Sequence, residues 1–299
     1  MHNKLVKIEY FKNFFRKKDY IYINDENDGY VENFGKQWRD YNSTQIDSLN
    51  NFTVSQDYLD KMLFNDILNI KNKNVLEIGC GAGRFTEHLV KNSKECVSID
   101  LSAAIFFNVS KGKKTLTLIK ADLNKLIPEK KFDVVICRGV LQHTPNPNKS
   151  IIKLFDFIDS NGQVFFDYYK KPKLGCFHPK YSIWRNIIPK IFKYETFEIF
   201  LNKNVKKLLY CRKIIKSIFF NSEFIADLFI PLWEFKPKEY NLNNDQLEKW
   251  AILDSLDGIY AKYDFPKSNK ELNKILHNNK KVIINVDKVN NIFHAKNKY

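Results

Sequence analysis

One stretch restricts this chain more than any other: Val75-Leu76-Glu77-Ile78-Gly79-Cys80-Gly81-Ala82-Gly83-Arg84-Phe85. A short apolar run breaks into three alternating glycines, and a helix-compatible run follows through Leu89 and Val90. This reads as strand, tight glycine loop, helix. Glycine lacks a Cβ, so such a loop takes positive φ and lays its backbone against a ligand. The helix behind it aims free N–H groups at whatever the loop holds. A dinucleotide fingerprint is spaced G-x-G-x-x-G. Here the spacing is G-x-G-x-G, with Arg84 where the third fingerprint glycine belongs and Glu77 two residues before the first. A carboxylate there opposes a pyrophosphate and suits a ligand carrying an ammonium and a sulfonium.

The pattern downstream tells what surrounds the loop. Strands are expected at Asn74–Gly79, Cys96–Asp100, Leu116–Ile119, Phe132–Cys137 and Gln163–Tyr168, separated by helical stretches. Alternating strands and helices imply a parallel sheet buried on both faces, with ligands beyond the carboxyl ends of its strands. Ahead of it, a helix is expected over Ser55–Ile70, while residues 1–30 are charged and aromatic without clear period. Behind it, residues 171–268 break the rhythm. Val205–Phe219 reads as a basic amphipathic helix, which either packs on its own domain or touches a membrane surface. A helix over Asn269–His277 and two strands, Lys281–Val286 and Asn291–Lys296, close the chain. The expected domains are an arm or flap (1–54), a Rossmann-like core (55–170), a mainly helical insertion (171–268) and a closing helix and hairpin (269–299).

Composition narrows the partners. The 299 residues are 44% hydrophobic and carry a formal net charge of +15, with lysine and arginine spread throughout. Such a balance suits a nucleic acid, an anionic membrane face or a phosphorylated substrate, as well as a solvated lysine-rich surface. The five cysteines form no C-x-x-C pair, which suggests reduced thiols in a cytoplasmic protein and no structural zinc. No apolar run approaches the ~20 residues that span a bilayer.

The glycine stretch resembles motif I of the class I S-adenosylmethionine methyltransferases, E-x-G-x-G-x-G, matched at Glu77, Gly79, Gly81 and Gly83. That family implies an α/β fold with a seven-stranded, mostly parallel sheet whose last strand is antiparallel. It implies S-adenosylmethionine as cofactor and S-adenosylhomocysteine as product. Asp100, with Leu101 beside it, stands where the family holds the ribose; a helix N-cap is the structural alternative for the acid. Asp122, between Ala121 and Leu123, stands where the family holds the adenine. Phe132-Asp133-Val134-Val135…Leu141-Gln142-His143-Thr144-Pro145-Asn146-Pro147 resembles the F-D-x-V…L-x-H-x-x-D-P segment of the type 11/12 group, with Asn146 in place of its aspartate. Both residues suit that turn. The resemblance sets Arg138 and Gly139 beside the methionine moiety and makes Asp133 a strand anchor.

A looser resemblance covers Phe34-Gly35-Lys36-Gln37-Trp38, Thr44-Gln45-Ile46-Asp47-Ser48 and Trp250…Leu253-Asp254-Ser255-Leu256-Asp257…Tyr263-Asp264-Phe265-Pro266. These segments look like those flanking methyltransferases of surface glycans and specialised metabolites, and Trp38 is expected over the cofactor. The implied acceptor is a small or glycan-linked molecule carrying a hydroxyl. Transfer to a hydroxyl needs a base. Candidates are His143, for which fixing its loop is the alternative role, His178, and the Asp254, Asp257, Tyr260 group. RNA is the alternative acceptor, and a non-catalytic cofactor-binding scaffold the alternative class. No N-P-P-Y tetrad, no Pro-Cys nucleophile after the fourth core strand and no cysteine cluster for a radical iron–sulfur mechanism is present.

Overall fold

A computed structural model of the chain describes residues 5–172, 174–234 and 242–298, the side chain of Ser43 apart. Its ten strands are β1 (Leu5–Ile8), β2 (Phe11–Lys18), β3 (Ile21–Ile23), β4 (Asn74–Ile78), β5 (Glu95–Asp100), β6 (Leu116–Lys120), β7 (Phe132–Cys137), β8 (Ile158–Asp167), β9 (Lys281–Asp287) and β10 (Ile292–Asn297). They form one sheet in the order β1-β2-β3-β6-β5-β4-β7-β8-β10-β9. The pairings from β3 through β6, β5, β4 and β7 to β8 are parallel. β10 enters antiparallel between β8 and β9. The strand order reverses beside β4, so the crevice lies off the carboxyl ends of β4, β5 and β7.

The expected seven strands become ten. The segment read as irregular supplies β1–β3, which extend the sheet past β6. Its charges hid the pattern. Lys12, Arg16, Lys17 and Lys18 face solvent, while Phe11 and Phe15 are buried with the core residues Leu126, Phe132 and Phe157, and Ile21 is buried with Cys80, Ile105 and Leu118. The fifth core strand begins earlier than expected, at Ile158, and runs through Asn161-Gly162, a pair whose composition favours a turn.

The helices are α1 (Glu32–Asp40), α2 (Asp47–Asn50), α3 (Val54–Met62), α4 (Thr86–Asn92), α5 (Pro147–Lys153), α6 (Arg185–Ile191), α7 (Tyr194–Ile218), α8 (Glu223–Phe229), α9 (Asn244–Tyr260) and α10 (Asn269–Asn278). α3 stops before Ile70, because Phe64 and Asn65 both take left-handed backbone. The expected helix at Val205 starts at Tyr194, its stripe Tyr194, Phe197, Leu201, Val205 buried against α9 residues such as Ala251 and Ile252. A separate apolar core thus holds the insertion together, and Tyr41 of the arm joins it.

Asp133 does anchor its strand: its Oδ2 accepts the Asn74 backbone N–H at 2.7 Å, fixing β7 against the start of β4. All five cysteines are free. Among the described residues no helix is long and apolar enough to cross a membrane.

Candidate functional site

Beyond the carboxyl ends of β4, β5 and β7 lies a hollow of about 320 Å³. Its floor is the glycine loop. Gly79 and Gly81 have φ of +81° and +49°, which a side chain tolerates poorly. The Gly81 N–H donates to Asp100 Oδ2 at 2.7 Å, and Asp100 Oδ1 accepts from the Ser102 N–H and hydroxyl, each at 2.7 Å. Asp100 thus clamps the loop to the tip of β5 and leaves capacity on Oδ2, since each carboxylate oxygen offers about two acceptor sites. Burial pushes its pKa up against those bonds. Asp122 Oδ1 is likewise partly engaged, by the Asn124 N–H at 2.9 Å.

The hollow gathers Gly79, Gly81, Asp100, Leu101, Ala121, Asp122, Leu123, Arg138, Gly139, Trp38 and His143 into one lining. The two loosely resembling segments converge there as well, bringing Phe34, Gln37 and Gln45 from one side and Trp250, Leu253, Asp254 and Asp257 from the other.

Four named residues do not line it. Glu77 turns away: its Oε2 accepts from Thr86 Oγ1 at 2.7 Å and Ser98 Oγ at 2.6 Å, tying β4 to α4 and β5. Burial raises its pKa to about 7. Its electrostatic part, expected from sequence to be attraction for a cationic ligand, is played behind the loop. Gly83, at φ +98°, lies where a Cβ would stand 2.6 Å from Asn108 Oδ1, so it serves loop packing. His178 stands in a neighbouring chamber, its Nε2 3.3 Å from Asp227 Oδ2 and its Nδ1 accepting from the Lys180 N–H. Tyr260 points elsewhere, donating to the Phe192 carbonyl at 2.9 Å.

Sequence reasoning missed Tyr30, Tyr58, Asp167 and Tyr169 in the lining, and it saw Arg84 only as a broken glycine pattern. Arg84 is fully buried, donating from Nε to Ser55 Oγ at 2.8 Å and from Nη1 to Gln45 Oε1 at 2.5 Å. Its guanidinium lies 5.0 Å from the Phe85 ring centre and 5.3 Å from that of Tyr58. Burial first, and then Arg138, lowers its pKa to about 9. Arg138 sits 4.2 Å over the Tyr58 ring, with Nε 3.4 Å from Asp167 Oδ2. Asp167 Oδ1 accepts the Gly139 N–H at 2.6 Å, so this carboxylate orders the tip of β7.

His143 has the arrangement of a proton acceptor. Its Nδ1 lies 2.8 Å from the Tyr263 backbone carbonyl oxygen. A carbonyl only accepts, so Nδ1 carries the hydrogen and Nε2 the lone pair. Nε2 is buried with no hydrogen-bond partner, 3.9 Å from Asp257 Oδ1, which is also without one. Tyr169 donates to Asp257 Oδ2 at 3.2 Å and sets its ring edge against His143 at 5.2 Å. Burial, then Asp257, holds the Tyr169 pKa well above the ordinary phenol value, so it remains a donor. Asp254 lines the same end of the hollow; burial and Asp257 raise its pKa to about 7.

The neighbouring chamber, of about 600 Å³, shares Tyr58, Arg138, Asp167, Tyr169, Asp254 and Asp257 with the hollow. Lys61, Lys170, Lys180, Tyr181 and Trp233 line its far side. Two compartments that share Asp257, 3.9 Å from His143 Nε2, can seat two reactants side by side.

A family model described as a methyltransferase domain matches residues 50–229. Ubiquinone biosynthesis O-methyltransferase of Hydrogenovibrio crunogenus is 30% identical over 131 residues, 40% of this chain and 54% of the relative. The protein of the same description from Pseudomonas fluorescens is 33% identical over 106 residues, 33% of this chain and 45% of the relative. The chain spans about half the length of the curated relatives it matches. Among solved structures, magnesium protoporphyrin IX methyltransferase from Synechocystis PCC 6803 with bound SAH aligns over 88% of this chain and 86% of its own, at 15% identity and TM-score 0.43. N-methyltransferase NodS from Bradyrhizobium japonicum WM9 aligns over 47% of this chain and 74% of its own, at 20% identity and TM-score 0.40.

Proposed function

The chain belongs to the class I S-adenosylmethionine-dependent methyltransferase family, and on that premise we propose that it methylates a hydroxyl of a small-molecule acceptor, with His143 as general base. When bound, S-adenosylmethionine supplies a methyl group already activated on a sulfonium. The residues fit this group. A Cβ at Gly81 would stand 3.5 Å from the Trp38 ring, so bare backbone keeps the cradle open between them. Asp100 and Leu101 take the ribose. Ala121, Asp122 and Leu123 take the adenine. Arg138, Gly139 and the face of Tyr58 take the methionine end. Glu77 and Gly83 support the loop from behind.

The observation that carries the reading is the buried lone pair of His143, aimed where the two compartments join. When that methyl group leaves sulfur for the acceptor oxygen, with S-adenosylhomocysteine as the leaving group, the acceptor's proton would pass to His143 Nε2. Asp257 is placed to receive the N–H so formed, and Tyr169 holds Asp257 for it. The aromatic walls exclude water. The description of the curated relatives as O-methyltransferases supports oxygen as the acceptor atom.

The test is paired substitution in single-turnover assays at saturating cofactor. His143→Asn should lower the rate about 10²–10⁴-fold while leaving S-adenosylhomocysteine affinity, read by calorimetry, unchanged. Asp254→Asn should retain most activity; if that variant carries the large loss instead, the base is Asp254. A folded wild-type protein giving no binding heat with either cofactor form would defeat the whole reading.

A further inference from the structure

The long helix of the insertion ends in a feature that methyl transfer does not use. From Ile199 to Ser222 the chain holds six basic residues and no acidic one. Arg212 and Lys216 turn inward, to Glu223 and Asp227 of α8 and to Glu223 and Glu234 respectively. Lys203, Lys206, Lys207 and Lys213 are exposed on α7.

Large apolar side chains stand among those lysines. Tyr210 is 66% exposed, Ile218 63%, and Phe220, in the turn between α7 and α8, 99%. Phe220 and Asn221 both take left-handed backbone, at φ +50° and +59°. A bulky residue is strained in that conformation, yet the Phe220 ring stands clear of its own fold. On α8, Phe224 and Leu228 lie one turn apart on the exposed side. The Phe224 ring lies 6.2 Å from that of His178, which lines the side chamber. The apolar surface therefore runs from the α7–α8 tip to the wall of that chamber.

We propose that this tip docks on an anionic lipid surface, with Phe220 and Ile218 entering the acyl boundary and the four lysines meeting lipid phosphates. The charge is complementary, and exposed phenyl and sec-butyl groups beside lysine stems are the composition that lies in a membrane interface. Nucleic acid is a poorer match: single strands need aromatic faces lining a basic groove, and here the rings crown a convex turn. The proposal stands apart from the assignment of methyl transfer, because it needs neither cofactor nor base.

The experiment is co-sedimentation of the full chain with vesicles of phosphatidylcholine alone and of equal parts phosphatidylcholine and phosphatidylglycerol. Retention is expected on the anionic vesicles only, weakening as salt is raised. Lys206→Ala/Lys207→Ala should lower the partition about 25-fold, at about fivefold per lysine, and Phe220→Ser about tenfold. S-adenosylhomocysteine binding by each variant should equal that of wild type, which certifies the fold and reads the cofactor assignment separately. Four results would overturn the proposal. They are no retention of wild type on anionic vesicles, equal retention on neutral ones, retention that both variants leave unchanged, and a tip that instead joins two copies of the chain or holds RNA in the same buffer.

Discussion

The three glycines of the loop are held for different reasons, and substitution should separate them. A Cβ on Gly79 would lie 2.0 Å from Val140 Cγ2 at a φ of +81°, so Gly79→Ala meets both a clash and a strained backbone. A Cβ on Gly81 meets only ordinary contact with Trp38, so Gly81→Ala leaves backbone strain of about 1–2 kcal/mol. Thermal denaturation should therefore find Gly79→Ala much the less stable. Gly81→Leu should fold, displace Trp38 and lose cofactor affinity in calorimetry; unchanged affinity would contradict the cradle. Glu77 provides a pH test at the same scale. Its carboxyl is raised from an ordinary 4.5 to about 7 by burial. Between those values the unfolded chain has released a proton that the native chain keeps, so the group's stabilising contribution is lost as pH rises through that window. Glu77→Gln should remove that slope, at most about 1.4 kcal/mol per pH unit, in denaturant titrations across the range.

At the level of elements, β10 contributes the opposite slope. His294 packs flat on Phe165 with ring centres 4.1 Å apart, and its Nε2 lies 2.9 Å from Gln163 Oε1. Burial, helped by Lys73, lowers its pKa from 6.5 to about 4. Below 6.5 the unfolded chain takes a proton that the native one refuses, so this contribution is lost as pH falls toward 4. The two groups thus largely cancel in wild type over their shared window. Relative to wild type, His294→Gln should steepen the decline in stability with rising pH over that window and Glu77→Gln should lessen it; changes of slope with the same sign in both variants would refute the pairing. Elements of this kind were legible where the pattern is local. β4 to β7 read directly as apolar runs ended by turn chemistry, and the β9–β10 hairpin by its Asp287–Asn291 turn. β1 to β3 were not, because lysines and arginines crowd both sides of them, and only Phe11 and Phe15 mark one buried face and Ile21 the other. The first half of α7 was missed for the same reason: Glu195, Glu198 and Asn202 interrupt its buried stripe.

Over the whole molecule, what sequence could not supply is convergence. The glycine loop and the acids after β5 and β6 are fixed by the fold's topology, so order along the chain locates them. His143, Tyr169 and Asp257 meet only because the insertion folds back, bringing α9 over the sheet, and no local pattern encodes that return. α1 is the element that touches every part. Trp38 covers Gly81, and the Phe34 ring lies tilted, 4.8 Å from that of His143. Asn33 donates to the Tyr260 carbonyl at 3.1 Å, and Lys36 pairs with Glu195 of α7 at 2.7 Å. The strands beneath are buried on both faces, whereas α1 is held largely by side-chain bonds at its rim, so it should open at lower free energy. A ligand seated between α1 and the loop adds its binding energy to closing that helix. S-adenosylhomocysteine should therefore slow amide hydrogen exchange across residues 29–45 at least tenfold and leave β4 and β5, already at the global limit, within error of the free protein. Slowing confined to the strands, with residues 29–45 unchanged, would mean that α1 is only packing and that the cofactor enters by another route.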